Sequence, residues 1–172
     1  PRSNGFGMAG ANEVAVGIGN TDLTEIMASG RILLDVPQTI RVTLEGKLKR
    51  GVYAKDIILY ILAEVTANGF TNCVVEFNGS ALEYLTADDR STIANMTVEG
   101  GATCGIFPVG KLRSEAKAEF KSALTFDLSH LDPYVAAPYS PDNGKPIGEM
   151  GDVPIDIAWV GSCTGGKLED VE

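Results

Sequence analysis

The feature that most constrains this chain is a switch of hydrophobic period between neighbouring segments. Residues 39–44 put Ile40, Val42 and Leu44 at every second position, the pattern of a strand with one covered face, and Gly46 stops it. Residues 55–66 then carry Ile57, Ile58, Ile61, Leu62 and Val65 at i, i+1, i+4, i+5 and i+8, the wide apolar stripe of a core-facing helix, closed by Asn68-Gly69. A short apolar run at 73–77 reads as the next strand. Alternation of the two periods predicts an α/β fold.

The remaining segments extend that alternation. Residues 22–29 read as a short helix capped by Thr21 and closed by Gly30. A second helix is expected over 88–99, with Thr86 as N-cap and Asp89 placed to favour the positive end of its dipole. Residues 114–122 read as a surface helix, 124–128 as a strand, and the proline-rich 132–154 as a long loop. The run 155–160 is apolar nearly throughout, which predicts a central strand covered on both faces.

Composition narrows the function classes. Of 172 residues, 44% are hydrophobic and 22% charged, enough apolar material for a packed core. Fourteen basic against twenty-three acidic side chains give a net charge of −9, and no Lys/Arg patch is interleaved with aromatics, so neither nucleic acid nor an anionic membrane is an expected partner. The longest apolar runs fall far short of the roughly 20 residues that span a bilayer. No targeting signal is visible at the start, and the expected compartment is the cytoplasm or the mitochondrial matrix. The three cysteines, Cys73, Cys104 and Cys163, are widely spaced and odd in number, which suits free thiols in a reducing compartment.

Four features could carry chemistry. Gly5, Gly7 and Gly10 form a glycine-rich loop running into an apolar segment, but a dinucleotide fingerprint needs a preceding strand, and a tight turn accounts for the pattern. His130 stands alone among turn formers, without a cysteine or acid at ligand spacing, and is set aside. Asn95 and Glu99, four apart, share a helix face with Thr92 and Met96; such a pair is either a solvated edge or a pocket wall. Cys163 follows the apolar run on a turn that continues into Gly165-Gly166. It is either a small buried residue in a tight turn or a thiol at the strand end where α/β sheets place ligands, and a helix starting near Lys167 would favour its thiolate.

Several separated stretches together resemble one family. Gly161-Ser162-Cys163-Thr164, "TIANM" followed by Glu99, "VEFNG", "KDIIL", the "NGFGMAG" loop and "PYSPDN" occur in the order found in the aconitase superfamily, which includes aconitases, homoaconitases and the large subunit of 3-isopropylmalate dehydratase. The resemblance implies aconitase-like three-layer α/β domains with mixed sheets, incomplete in this chain: the end of a first domain at 1–37, a second α/β domain at 38–121, and the start of a third at 122–172 carrying the cysteine turn. It implies a hydro-lyase that isomerises a hydroxy-polycarboxylic acid by dehydration and rehydration, with citrate/isocitrate expected first and isopropylmalate or homocitrate chemistry as the alternative. A regulatory or binding protein on the same scaffold, without catalysis, is the alternative of another class. By the same resemblance Cys163 is a ligand of a [4Fe–4S] cluster, Asn95 stands beside that cluster, and Glu99 hydrogen-bonds the hydroxyl or water on its open iron. The expected partners are the substrate and the remaining domains, or a small subunit, of the same enzyme.

Two departures from the family pattern bear on these expectations. Gly165 stands where the family motif carries asparagine. The family's downstream Cys-x-x-Cys, its substrate-gripping arginines and its serine base have no counterpart here, so the chain is expected to be an interior stretch of a longer protein from which no complete active site can be built.

Overall fold

The computed structural model describes residues 17–108 and 114–171. The glycine loop at Gly5, Gly7 and Gly10 lies outside the described residues.

The switch of period at the heart of the chain becomes a β-α-β unit. Strand β1, Gln38–Glu45, alternates as expected, with Ile40, Val42 and Leu44 buried. Helix α2, Ala54–Val65, follows the short helix α1, Asn20–Ser29, in chain order and buries Ile57, Ile58, Ile61 and Leu62. Burying each of those side chains is worth about 1.5–3 kcal/mol. Strand β2, Cys73–Asn78, then pairs parallel to β1, with Ile40 opposite Val75 and Val42 opposite Phe77. Helix α3, Ala87–Met96, leads to strand β3, Cys104–Ile106, parallel to β2. Strand β4, Ser122–Asp127, pairs parallel to the far side of β1, giving the order β3-β2-β1-β4. The division expected at residue 121 therefore falls just before a strand of this same sheet.

One face of the sheet meets α2 and α3 in a single apolar core that includes Phe70, Phe77, Ile93 and Phe107. Phe77 and Phe107 stack with ring centroids 4.6 Å apart. The other face is polar: Thr39, Arg41 and Thr43 of β1 and Glu76 and Asn78 of β2 are only partly covered. Arg41 lies 3.9 Å from a Glu76 carboxylate oxygen, and its guanidinium sits over the Phe120 ring at 3.7 Å. Residues 114–121 cross this face as turn and coil, with the Ser114 hydroxyl donating to Glu76. The surface helix expected over 114–122 is not formed. That segment is spent crossing from Glu76 of β2 over Arg41 of β1, and its last residue enters the edge strand β4.

The long loop expected over 132–154 holds a small antiparallel hairpin, β5 at Tyr134–Ala136 and β6 at Gly144–Pro146. Among the described residues antiparallel pairing is confined to this hairpin, and the four-stranded sheet is parallel throughout. The hairpin segment is tied to both ends of α2. At the N-terminus, buried Asp56 accepts from the Tyr53 N–H at 2.6 Å, capping its own helix, and from the Tyr134 N–H at 2.7 Å. At the C-terminus, Asp142 accepts from the Ala67 N–H at 2.8 Å.

Caps explain the helix boundaries. Gly19, not Thr21, precedes α1, and its N–H donates to Asp22 at 3.0 Å; Gly30 closes the helix at φ +69°, as expected. For α3 the Thr86/Asp89 capping box forms as anticipated, the Asp89 N–H donating to Thr86 Oγ1 at 3.1 Å and the Thr86 N–H to Asp89 Oδ2 at 2.9 Å. This helix ends earlier than the sequence suggested. The buried Thr97 hydroxyl donates back to the Ala94 carbonyl at 2.8 Å, and residues Thr97–Gly100 tighten into a 3-10 turn closed by Gly101 at φ +86°.

The largest correction concerns 155–160, which forms no strand. Ile155, Ile157 and Trp159 are 75%, 86% and 76% exposed. A strand apolar on both faces needs hydrogen-bonded neighbours and two covering layers, and among the described residues nothing pairs with this segment.

Gly79 closes β2 at φ +111°, and a Cβ built there would stand 2.1 Å from the Leu44 carbonyl oxygen of β1. Gly79→Ala should therefore lower stability in urea unfolding by about 2 kcal/mol or more, because it forces apart two central strands. Gly30→Ala, at φ +69° with nothing within 4 Å, isolates the backbone effect and should cost only about 1 kcal/mol. A second expectation concerns alkali. Burial in β3 pushes the Cys104 thiol up from 9.0 to about 11. Its neutral form is thus favoured by folding, so its contribution is intact below pH 9 and lost as pH rises towards 11. Cys104→Ala should flatten the alkaline side of the stability profile in that window.

Candidate functional site

The three residues singled out from the sequence, Asn95, Glu99 and Cys163, line one cavity of about 430 Å³, together with Met96, Val98, Pro141 and Thr164. They arrive by different routes. Asn95 lies on the last turn of α3, 5% exposed, held by the packing of Ile93 and Ala94 into the core. Glu99 comes from the 3-10 turn after the helix and is exposed. Pro141 is supplied by the hairpin segment that Asp142 ties to α2.

Cys163 comes from a turn more than sixty residues away in sequence, and its sulfur accepts from Asn95 Nδ2 at 2.8 Å. The thiol is half-buried, whereas Cys73 and Cys104 are buried in β2 and β3. The backbone of this turn is unusual. Ser162 adopts φ +74°, a left-handed conformation uncommon for a residue with a side chain. Gly166 closes the turn so tightly that an added Cβ would lie 2.9 Å from the Ser162 carbonyl oxygen. At Gly165 a Cβ would meet the Gly161 carbonyl oxygen at 3.1 Å and Lys55 Nζ at 3.2 Å, so a larger side chain there would have to displace the lysine amine.

The turn is fastened to α3 at a second point. Lys167 Nζ donates to the Asp88 carbonyl and to the Thr92 hydroxyl. Asp88, Thr92 and Asn95 form one stripe along the helix, at spacings of four and three, and the stripe continues to Glu99. The helix expected from Lys167 onward is only the 3-10 turn Leu168–Asp170, begun by the Lys167 N–H donating to Asp170 at 2.8 Å.

Sequence reading did not assign roles to Lys167, Thr92, Ser162 or Pro141. Thr92 was visible as a neighbour on the Asn95 face. Lys167 had no local signal beyond lying four residues after Cys163, because its partners are seventy-five and seventy-nine residues earlier. His130 stands in the 3-10 turn Leu128–His130, away from this cavity.

A [4Fe–4S] cluster would take thiolates as protein ligands. Cys163 suits that role, being half-buried on the wall of an open cavity beside a buried amide. Among the described residues no group of three His, Cys, Asp or Glu side chains could hold a metal ion, so Cys163 would be one ligand of a set completed elsewhere. No helix among them is long and apolar enough to cross a membrane.

Comparison with known proteins identifies the family. Residues 1–111 match the family model described as the aconitase family (aconitate hydratase). Over 96% of its length the chain is 40% identical to the 3-isopropylmalate dehydratase large subunit of Desulfosudis oleivorans, covering 44% of that protein. It is 40% identical to the chloroplastic 3-isopropylmalate dehydratase large subunit of Arabidopsis thaliana, over 94% of this chain and 35% of the relative. It is also 36% identical to a probable methanogen homoaconitase large subunit of Methanosarcina mazei, over 97% of this chain and 46% of the relative. The chain spans less than half the length of these curated relatives. With a family match over most of its residues and the cysteine turn seated against the asparagine helix, this α/β chain belongs to the aconitase family.

Proposed function

We propose that this chain is part of an iron–sulfur hydro-lyase that dehydrates and rehydrates a hydroxy acid carrying more than one carboxylate. The observation that carries the reading is the convergence of Cys163, Asn95 and Glu99 on one cavity, with Asn95 Nδ2 2.8 Å from the Cys163 sulfur. Relatives named as 3-isopropylmalate dehydratase and homoaconitase large subunits favour an isopropylmalate- or homoaconitate-type substrate. The citrate/isocitrate substrate expected first from the sequence receives no specific support from them. Their designation as large subunits also favours a small-subunit partner, which would complete the site together with further segments of the longer protein.

In this reading Cys163 supplies one thiolate to a [4Fe–4S] cluster, which when bound contributes a Lewis-acidic iron at the substrate hydroxyl. The chain's own residues do the rest of the local work. The buried Asn95 amide donates to the sulfur, which stabilises negative charge on it and fixes its direction. Glu99, exposed at the cavity mouth, is free of the core and can accept a hydrogen bond from a hydroxyl or water there, or move its proton. Met96, Val98 and Pro141 give the cavity an apolar wall that limits water around that proton.

Two variants of the full-length protein test this. Cys163→Ser should abolish the broad visible absorbance of the reconstituted protein, while Cys73→Ser and Cys104→Ser leave it largely intact; equal loss from Cys104→Ser would refute the choice of thiol. Glu99→Gln keeps the shape and removes the charge, so the absorbance should persist while turnover of isopropylmalate or homoaconitate falls by at least about 100-fold. Near-normal turnover would return Glu99 to a solvated edge.

A further inference from the structure

We propose that Lys167 is a positioning residue for Cys163: its ammonium clamps the 161–170 turn to α3 and so sets the direction in which the thiolate faces the cavity. The inference rests on the reading of Cys163 as a cluster ligand. Its basis is a second anchor between two segments that are remote in sequence. Lys167 Nζ donates to both the Asp88 carbonyl and Thr92 Oγ1, while four residues earlier the Cys163 sulfur accepts from Asn95 Nδ2 at 2.8 Å. Thr92 and Asn95 are three residues apart on the helix, so the two anchors lie about 4.5 Å apart along its axis. A turn held at the sulfur alone could pivot about that contact. Held at both points, it has a defined orientation.

The local chemistry argues that the lysine is there for geometry and not for the helix. Asp88 is in the first turn of α3, the positive end of its dipole, where an ammonium has the unfavourable sign. Three carboxylates, Asp88, Asp89 and Asp170, line the same small cleft as Lys167 and a second lysine, Lys55, so acidic groups outnumber ammonium groups there and offset part of that cost. The turn that carries both anchors is also under constraint, beginning at the residue just before Cys163. Ser162 is held at φ +74°, and the Gly166 backbone leaves no room for a side chain. A non-glycine residue persists at such a φ only where its surroundings over-determine it, and a two-point clamp does that.

The test uses the full-length protein with its partner subunit, in two states. In the cluster-free protein, the rate of Cys163 alkylation by iodoacetamide is followed by peptide mass spectrometry. Lys167→Ala should raise that rate about tenfold by freeing the turn, and Lys167→Arg should restore it. After reconstitution with iron and sulfide, Lys167→Ala should weaken cluster retention about 10-fold or more, read as faster loss of visible absorbance in air, again with rescue by Lys167→Arg. Rates within about twofold of the unsubstituted protein in both states would overturn the clamp. If Lys167→Ala does not fold, Thr92→Val removes one acceptor from the same ammonium and is judged by the same alkylation comparison. Failure of the cluster reading is distinguishable: Cys163→Ser would then keep the absorbance, while the alkylation rates of the cluster-free Lys167 variants would still decide whether the clamp exists.

Discussion

The placement of the candidate site depends first on the single apolar core in which α2 is buried together with β1. Ile57, Ile61 and Leu62 share one buried apolar cluster with Ile40, Val42 and Leu44, and no one of these six residues is more than 3% exposed. That packing fixes the plane of the sheet and, with it, the line along which α3 must lie to cover β2 and β3. Gly105 shows how close the second helix comes, since a Cβ there would stand 2.9 Å from Ala94 Cα. Asn95 is the next residue. The depth of the candidate site is therefore set by core packing, one residue removed from the closest helix-to-strand approach in this layer.

The asymmetry of the sheet is the second organising fact. Parallel sheets are ordinarily covered by helices on both faces, yet among the described residues α2 and α3 lie on one face and a coil segment crosses the other. Strand β1 accommodates this by alternating apolar and polar residues in the manner of a half-exposed antiparallel strand. Arg41 and Glu76 pair across the polar face, and Phe120 shields the guanidinium. At 3.9 Å and only partly covered, such a pair contributes little to stability, so the fold leans on its apolar face. The site likewise sits on the helix side, at α3.

Much of this was legible in the residues. The alternation at Ile40, Val42 and Leu44 and the stripe from Ile57 to Val65 each report a local period, and both elements formed within a residue or two of expectation. The Thr86/Asp89 box was readable because capping is chemistry between neighbours. Where reading failed, the deciding partner was remote. Residues 155–160 have the composition of a buried strand, but a strand exists only when another backbone accepts its hydrogen bonds. The stretch 114–122 has helical composition, but its ends are held apart, Ser114 at Glu76 of β2 and Ser122 in the edge strand β4.

The sequence by itself determined the α/β class, the two helices that build the core, and the candidacy of Asn95, Glu99 and Cys163, because hydrophobic period and capping are carried by neighbouring residues and the resemblance to aconitases by short motifs, each readable without knowing how the segments pack. Only the tertiary structure decided that these three share a cavity, that Pro141 walls it, and that Lys167 fastens the cysteine turn to α3. A hydrogen bond between residues 92 and 167 leaves no periodic trace in either segment. It becomes visible only after burial of the α2 and α3 faces has brought the two segments within reach.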